Sequence, residues 1–207
     1  MSEYDCETFC KWPRLSKKAA TLTRFNANLQ KSGHWLNWHR NGRVRVSAYF
    51  KDGIENGEVK HYFDNGNIHA HYIKKNGKKE GVNKQWHVNG ALELLLFYVN
   101  GAEEGESKEF YNNGQLDTKC LMKDGKEEGL CKQWYENGQL FFECYMSKGL
   151  EHGVAKKWHV NGELFVLCTM VHGQEQGEYK EWHDNGQLYI QTHMEDKKMN
   201  GEYKKWH

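Results

Sequence analysis

The chain has 207 residues, of which Leu, Ile, Val and Phe together supply 39, and its mean hydropathy is -0.95. So little aliphatic material disfavours a conventional layered enzyme, while a net charge of +1 and an aromatic content of 14% are unlike a disordered chain. Basic and acidic residues, 29 and 28, are interleaved; this removes the field that carries nonspecific nucleic-acid binding, so nucleic acid is not an expected partner.

In chain order, residues 1–32 stand apart as an N-terminal cap. Ser16, Lys17, Lys18, Ala19 and Ala20, running on to Gln30 with Gly33 beyond, read as a short capped helix placed to cover a first edge strand. The stretch has no apolar signal core. The longest apolar run, Leu94 to Val99, is far below the roughly 20 residues of a membrane helix. An intracellular, cytoplasmic protein is expected, in host cytoplasm or virion if the source is a virus. Six cysteines suit a reducing compartment as small buried hydrophobes, with Cys6 and Cys10 a separate candidate pair.

From residue 33 the sequence repeats. The dipeptide Asn-Gly places Gly42, Gly66, Gly90, Gly114, Gly138, Gly162 and Gly186 at an unbroken interval of 24 residues. Two further columns, starting at Gly53 and Gly33, absorb all the remaining glycines of the 21. Between them, apolar residues alternate, as in Leu140, Phe142, Cys144 and Met146, which is a strand with one buried face. A polar turn such as Asp124-Gly125 follows, then a second strand ending in an aromatic residue and the next Asn-Gly. Asn-Gly between strands signals a type I′ hairpin turn with both residues at positive φ. The aromatic column is Trp38, Tyr62, Trp86, Phe110, Trp134, Trp158, Trp182 and Trp206, and two residues before it runs a lysine column from Lys60 to Lys204. By period-two alternation each lysine stem is expected beside its ring, with its head meeting loop glutamates such as Glu103 and Glu127. The expected fold is all-β: an elongated single-layer antiparallel β-meander of stacked hairpin repeats. Residues 33–207 form one domain of seven repeats and a leading strand, 15 strands in all.

These units, of the form Lys-x-Trp-x-x-Asn-Gly-x-Leu with an x-Gly-x-x-x-Gly loop, resemble MORN repeats, in the longer variant of bacterial antitoxin-like proteins and large DNA viruses. The resemblance covers residues 33 to 207. It implies a scaffold that dimerises, with phosphoinositide binding and toxin neutralisation as the alternative roles.

Chemistry weighs less. The histidine column at His39, His87, His159, His183 and His207 repeats every second strand, roughly 9 to 10 Å apart, too far for zinc ligation, so a structural or solvated ladder is expected. Folding about Gly125 sets Cys131 opposite Cys120, where a pair of free thiols is expected rather than a disulfide. Neither catalytic residues, nor a cofactor, nor metal ligands are expected, and the chain reads as a non-enzyme. The expected function is a scaffold or protein-interaction module. Its groove would present Trp86, Phe110, Trp134, Trp158 and Trp182 beside Met122, Met146 and Met170 to a protein partner. A homodimer is expected through the last strand, at Tyr203, Lys204, Trp206 and His207. Lys108, Lys132 and Lys156 are the residues that would meet lipid headgroups at a membrane surface, a reading ranked below the structural one.

Overall fold

The computed structural model describes residues 24–195 and 198–206. Among them all regular structure is strand, in 18 segments. Two compact units divide the chain, residues 1–101 and 102–207. The first contains β1 (Arg24–Phe25), β2 (Lys31–Trp38), β3 (Val44–Lys51), β4 (Ile54–Tyr62), β5 (Ile68–Lys75), β6 (Lys78–Trp86) and β7 (Leu92–Val99). The second contains β8 (Ala102–Glu103), β9 (Gly105–Phe110), β10 (Leu116–Lys123), β11 (Lys126–Trp134), β12 (Leu140–Ser147), β13 (Leu150–Trp158), β14 (Leu164–Val171), β15 (Gln174–Trp182), β16 (Leu188–Glu195), β17 (Lys198–Met199) and β18 (Lys204–Lys205).

Within the first unit each strand pairs antiparallel with the next, from β1 to β7. Within the second the same holds from β9 to β16, and β17 and β18 both pair with β16. The meander read from the repeat is thus present in both units. Its seventh strand is interrupted between β8 and β9, and its last is split into β17 and β18.

The helical cap is corrected where it can be seen. Residues 24–30 are strand and turn, not helix, and the earlier part of the expected helix lies outside the described residues. Asn26 is the cause: its Oδ1 accepts from the amides of Asn28 and Gln30, both at 3.0 Å, which closes a turn in competition with a helix. The resulting hairpin lays β1 on the start of β2, and Phe25 meets Trp35 edge-on at 5.3 Å.

The Asn-Gly turn departs from the geometry expected of it. At the Asn-Gly turns of the column from Gly42 to Gly186 only the glycine has positive φ, as at Gly42 (83°), and the Gly42 amide donates to the His39 carbonyl while the His39 amide donates to the Arg43 carbonyl oxygen. That is a type I turn with a glycine bulge, not type I′. The Asn41 side chain holds it, because Oδ1 accepts the Arg43 amide at 3.0 Å. Type I′ instead occurs at the other turn, where Asp124 (51°) and Gly125 (74°) both lie in the left-handed region between the paired residues Lys123 and Lys126.

Burial in a single layer follows from side-chain size. Directly opposed residues share a face, and the central row of the inner face is small: Ala48 and Val59 in the first unit, Cys131, Cys144, Ala155 and Cys168 in the second. Val59 and Cys144 are fully buried. Larger side chains of the flanking rows close over this trough, and Phe142, Val166 and Met170 join Cys144, Ala155 and Cys168 in one buried cluster.

Candidate interaction faces

A register shift separates each aromatic residue from the residue before it. Gln133 is opposite Phe142, yet Trp134 is opposite Leu140. The residue left without a partner is Phe141, on β12, and it packs against the same buried cluster as Phe142, so alternation breaks on β12, while Lys132, Gln133 and Trp134 keep theirs and Lys132, opposite Glu143, shares the outer face with Trp134. The same shift precedes Trp38, Tyr62, Trp86, Phe110, Trp158 and Trp182. Column lysine and aromatic thus lie two residues apart on one face, as period-two alternation expects.

The partners of the lysines differ from expectation. Lys60 pairs with Glu58, Lys108 with Glu106 and Lys180 with Glu178, two residues earlier on the same strand, and Lys132 pairs with Glu143 across β11 and β12 at 2.7 Å. The Lys60 hydrogen bond lowers the Glu58 carboxyl below the usual range, and the Lys108 and Lys119 hydrogen bonds do the same for Glu106. Of the loop-rim carboxylates, Glu55 takes Lys74 at 2.6 Å. Lys108 and Lys132, named for lipid headgroups, thus lie on the outer face in local ion pairs, and Lys156 sits opposite Glu143 and Leu167.

The aromatic and methionine columns lie at opposite ends of the strands. Trp134 faces Leu140 and Met146 faces Gly129, six positions or about 20 Å further along β12. Trp86, Phe110, Trp134, Trp158 and Trp182 are half-buried, as is Met122, whereas Met146 and Met170 are buried in the core at 7% exposure. The structure does not bring these rings and thioethers together in one groove. At the chain's last strand, Tyr203 and Trp206 are exposed, Lys204 pairs with Gln191 of β16 and ion-pairs Glu202, and the Trp206 amide donates to the Tyr189 carbonyl. His207 lies outside the described residues.

Three rows of turn contacts had no clear signal in the repeat. Asn Nδ2 groups donate to the backbone of the following Asn-Gly turn, Asn41 to Asp64 at 2.7 Å and Asn161 to Asp184 at 2.7 Å. Beside them His39 and His159 place Nε2 at 2.8 and 2.9 Å from the carbonyls of Tyr62 and Trp182, and the Tyr111 and Tyr135 hydroxyls donate to those of Trp134 and Trp158. The histidine column is a staple between repeats, interchangeable with tyrosine. At the opposite edge Glu80, Glu104 and Glu128 accept the amides of Asn100, Asp124 and Lys148.

Cys120 and Cys131 are joined as a disulfide, in place of the free pair expected. The register shift between Lys119 and Leu121 sets them face to face, Cα to Cα 4.3 Å. Cys144 and Cys168 are free; burial pushes the Cys144 thiol up and the Cys168 thiol up to about 11.

The outer face holds a feature not read from the sequence. In the second unit Leu121, Leu130, Tyr145 and Val154 occupy four successive strands and are 47%, 45%, 57% and 54% exposed. In the first unit Tyr49, Ile73, Val82 and Phe97 are exposed at the corresponding places. The signal was available, since these residues alternate with the buried columns, but a strand with one apolar face was assumed to turn polar residues outward. The first unit also contains an open cleft of about 570 Å³ lined by His39, Arg45, His61, Phe63, Asp64 and His69 among others. Burial, with the nearby His69, holds His61 below the usual imidazole range.

A family model described as MORN repeat variant matches residues 55–72, 103–124, 127–148 and 175–196. No curated protein matches the chain.

Proposed function

Because the chain is a MORN-repeat protein, a class generally associated with protein- or membrane-binding scaffold roles, we propose that it is a non-enzymatic scaffold that binds a protein partner through its outer face. The observation that supports this reading most is the row Leu121, Leu130, Tyr145 and Val154. Four large apolar side chains on adjacent strands stay in water, although the same strands bury their other face thoroughly. Lys132 and Glu143, two residues along each strand, flank the row with local ion pairing, which gives a mixed polar rim around an apolar strip. Net attraction to an anionic surface is weakened by those carboxylates, so protein is favoured over lipid.

The test is affinity capture with the full chain and with a variant carrying Leu121→Ser, Leu130→Thr, Tyr145→Ser and Val154→Thr, its fold checked by circular dichroism. A partner held by the natural chain and lost with the folded variant supports the reading. Retention by the variant overturns it, as does salt-sensitive flotation on phosphoinositide vesicles that disappears when Lys108, Lys132 and Lys156 become Glu. A captured toxin would assign the neutralising role within the protein-binding reading.

A further inference from the structure

We propose that Cys120, Cys131 and Glu127 form a redox-gated site for a single zinc ion. Ligand atoms of the three residues lie within 4.8 Å of one another. Both sulfurs are buried at 4% exposure, and Glu127 is half-buried beside them. Two thiolates and a carboxylate are donors that zinc accepts, with bonds of about 2.3 Å to sulfur and about 2.0 to 2.2 Å to oxygen. Ligand atoms on one tetrahedral ion are then about 3.3 to 3.8 Å apart, so a small inward movement of the carboxylate and an opening of the sulfur pair complete the geometry.

Three local features favour this reading. Leu121 pairs with Glu128 and Lys119 with Lys132, so residues 129–131 of β11 face Cys120 alone. That bulge supplies backbone slack where the sulfurs must part. Glu127, opposite Met122 at the start of β11, makes no ion pair among the described residues, so its carboxylate is uncommitted beside two buried sulfurs. Met122 and Met146 pack on the cysteines and hold them in place. With three protein donors the fourth position stays open to water.

Disulfide and zinc exclude one another. A low-molecular-weight thiol reduces the bond: two such thiols give two electrons and two protons, leave as their own disulfide, and release two cysteine thiols. Zinc then displaces the two thiol protons to solvent and takes the Glu127 carboxylate without proton loss. Thiol-reducing conditions therefore open the site and oxidation closes it.

The experiment uses the full chain, reduced with a phosphine and titrated with zinc against a chromophoric chelator. One equivalent bound by the reduced chain, and none by the disulfide form, is expected. Cys120→Ser and Cys131→Ser abolish uptake, and Glu127→Gln weakens it by more than the roughly tenfold that loss of an outer partner costs. Cys144→Ser leaves it unchanged, because Cys144, although opposite Cys131, is not in the donor group. Cobalt added to the unaltered reduced chain should show a thiolate charge-transfer band, a readout independent of variant folding. Absence of that band together with failure to compete for zinc overturns the proposal, and so does a Cys144→Ser variant that loses zinc as completely as Cys120→Ser.

Discussion

Asn113 donates from Nδ2 to the backbone carbonyl of Glu136 in the next turn at 3.0 Å, while its Oδ1 accepts the Gln115 amide at 2.9 Å. One side chain therefore shapes its own turn and ties it to the neighbouring repeat. Asn113→Ala removes both bonds and should cost about 1 to 2 kcal/mol, at roughly 1 kcal/mol for each. Asn113→Asp keeps the acceptor and loses the donor, and should fall between. Urea midpoints of the three proteins check this, and an Asp variant as stable as the natural chain would show that the tie between turns contributes nothing.

Two substitutions in one turn should move stability in opposite directions. Lys148 (φ 54°) and Gly149 (φ 82°) form a type I′ turn. An L residue in the left-handed region costs roughly 1 to 2 kcal/mol, and Asn tolerates it better than Lys. Lys148→Asn should raise the thermal midpoint, with the bond from its amide to Glu128 retained. Gly149→Ala should lower it by strain alone, since an added Cβ would meet only Lys126 Cβ, at 3.9 Å. Equal effects of like sign would contradict this account of the turn.

The Cys168 thiol gives stability a dependence on alkaline pH. Burial raises it from 9.0 to about 11, so the folded state holds this proton over a range in which the unfolded chain has released it. Its contribution is fully present below pH 9 and is lost as pH rises through about 11. Urea unfolding at pH 8 and pH 10.5 should show a smaller loss for Cys168→Ala than for the natural chain. Parallel losses would remove the thiol as the source.

Asn83 is 1% exposed, and neither amide atom has a hydrogen-bond partner among the described residues. It occupies the place that Val59 holds one repeat earlier. An unsatisfied buried amide costs about 1 to 3 kcal/mol, so Asn83→Val should stabilise the first unit by a comparable amount. A lower urea midpoint for the variant would mean that the amide is satisfied in solution.

Local chemistry made much of this protein legible from its residues. Each Asn-Gly of the column from Gly42 to Gly186 had to be a turn, each run such as Cys144 and Met146 had to alternate, and a 24-residue period without insertion had to place equivalent residues two strands apart on an antiparallel meander. Nearest-neighbour backbone preferences suffice for all of that. They did not suffice for the type of turn. Asn41 and Asp124 both precede glycine, yet Asn41 bonds the amide two residues on and stays right-handed, while Asp124 joins strands two residues apart and is carried into the left-handed region.

What only the tertiary structure decided follows from those turns. Beside the three-residue Asn-Gly connection Phe141 is left unpaired, which shifts the register by one, and one residue of register exchanges the faces of a strand. Period-two counting puts Phe141 on the face opposite Phe142, and the folded sheet packs both on one buried cluster. The meeting of Cys120 with Cys131 depends on another such shift, between Lys119 and Leu121. A register is a relation between two strands, so it is set by how their hydrogen bonds close around a turn and is absent from the pattern of either strand alone.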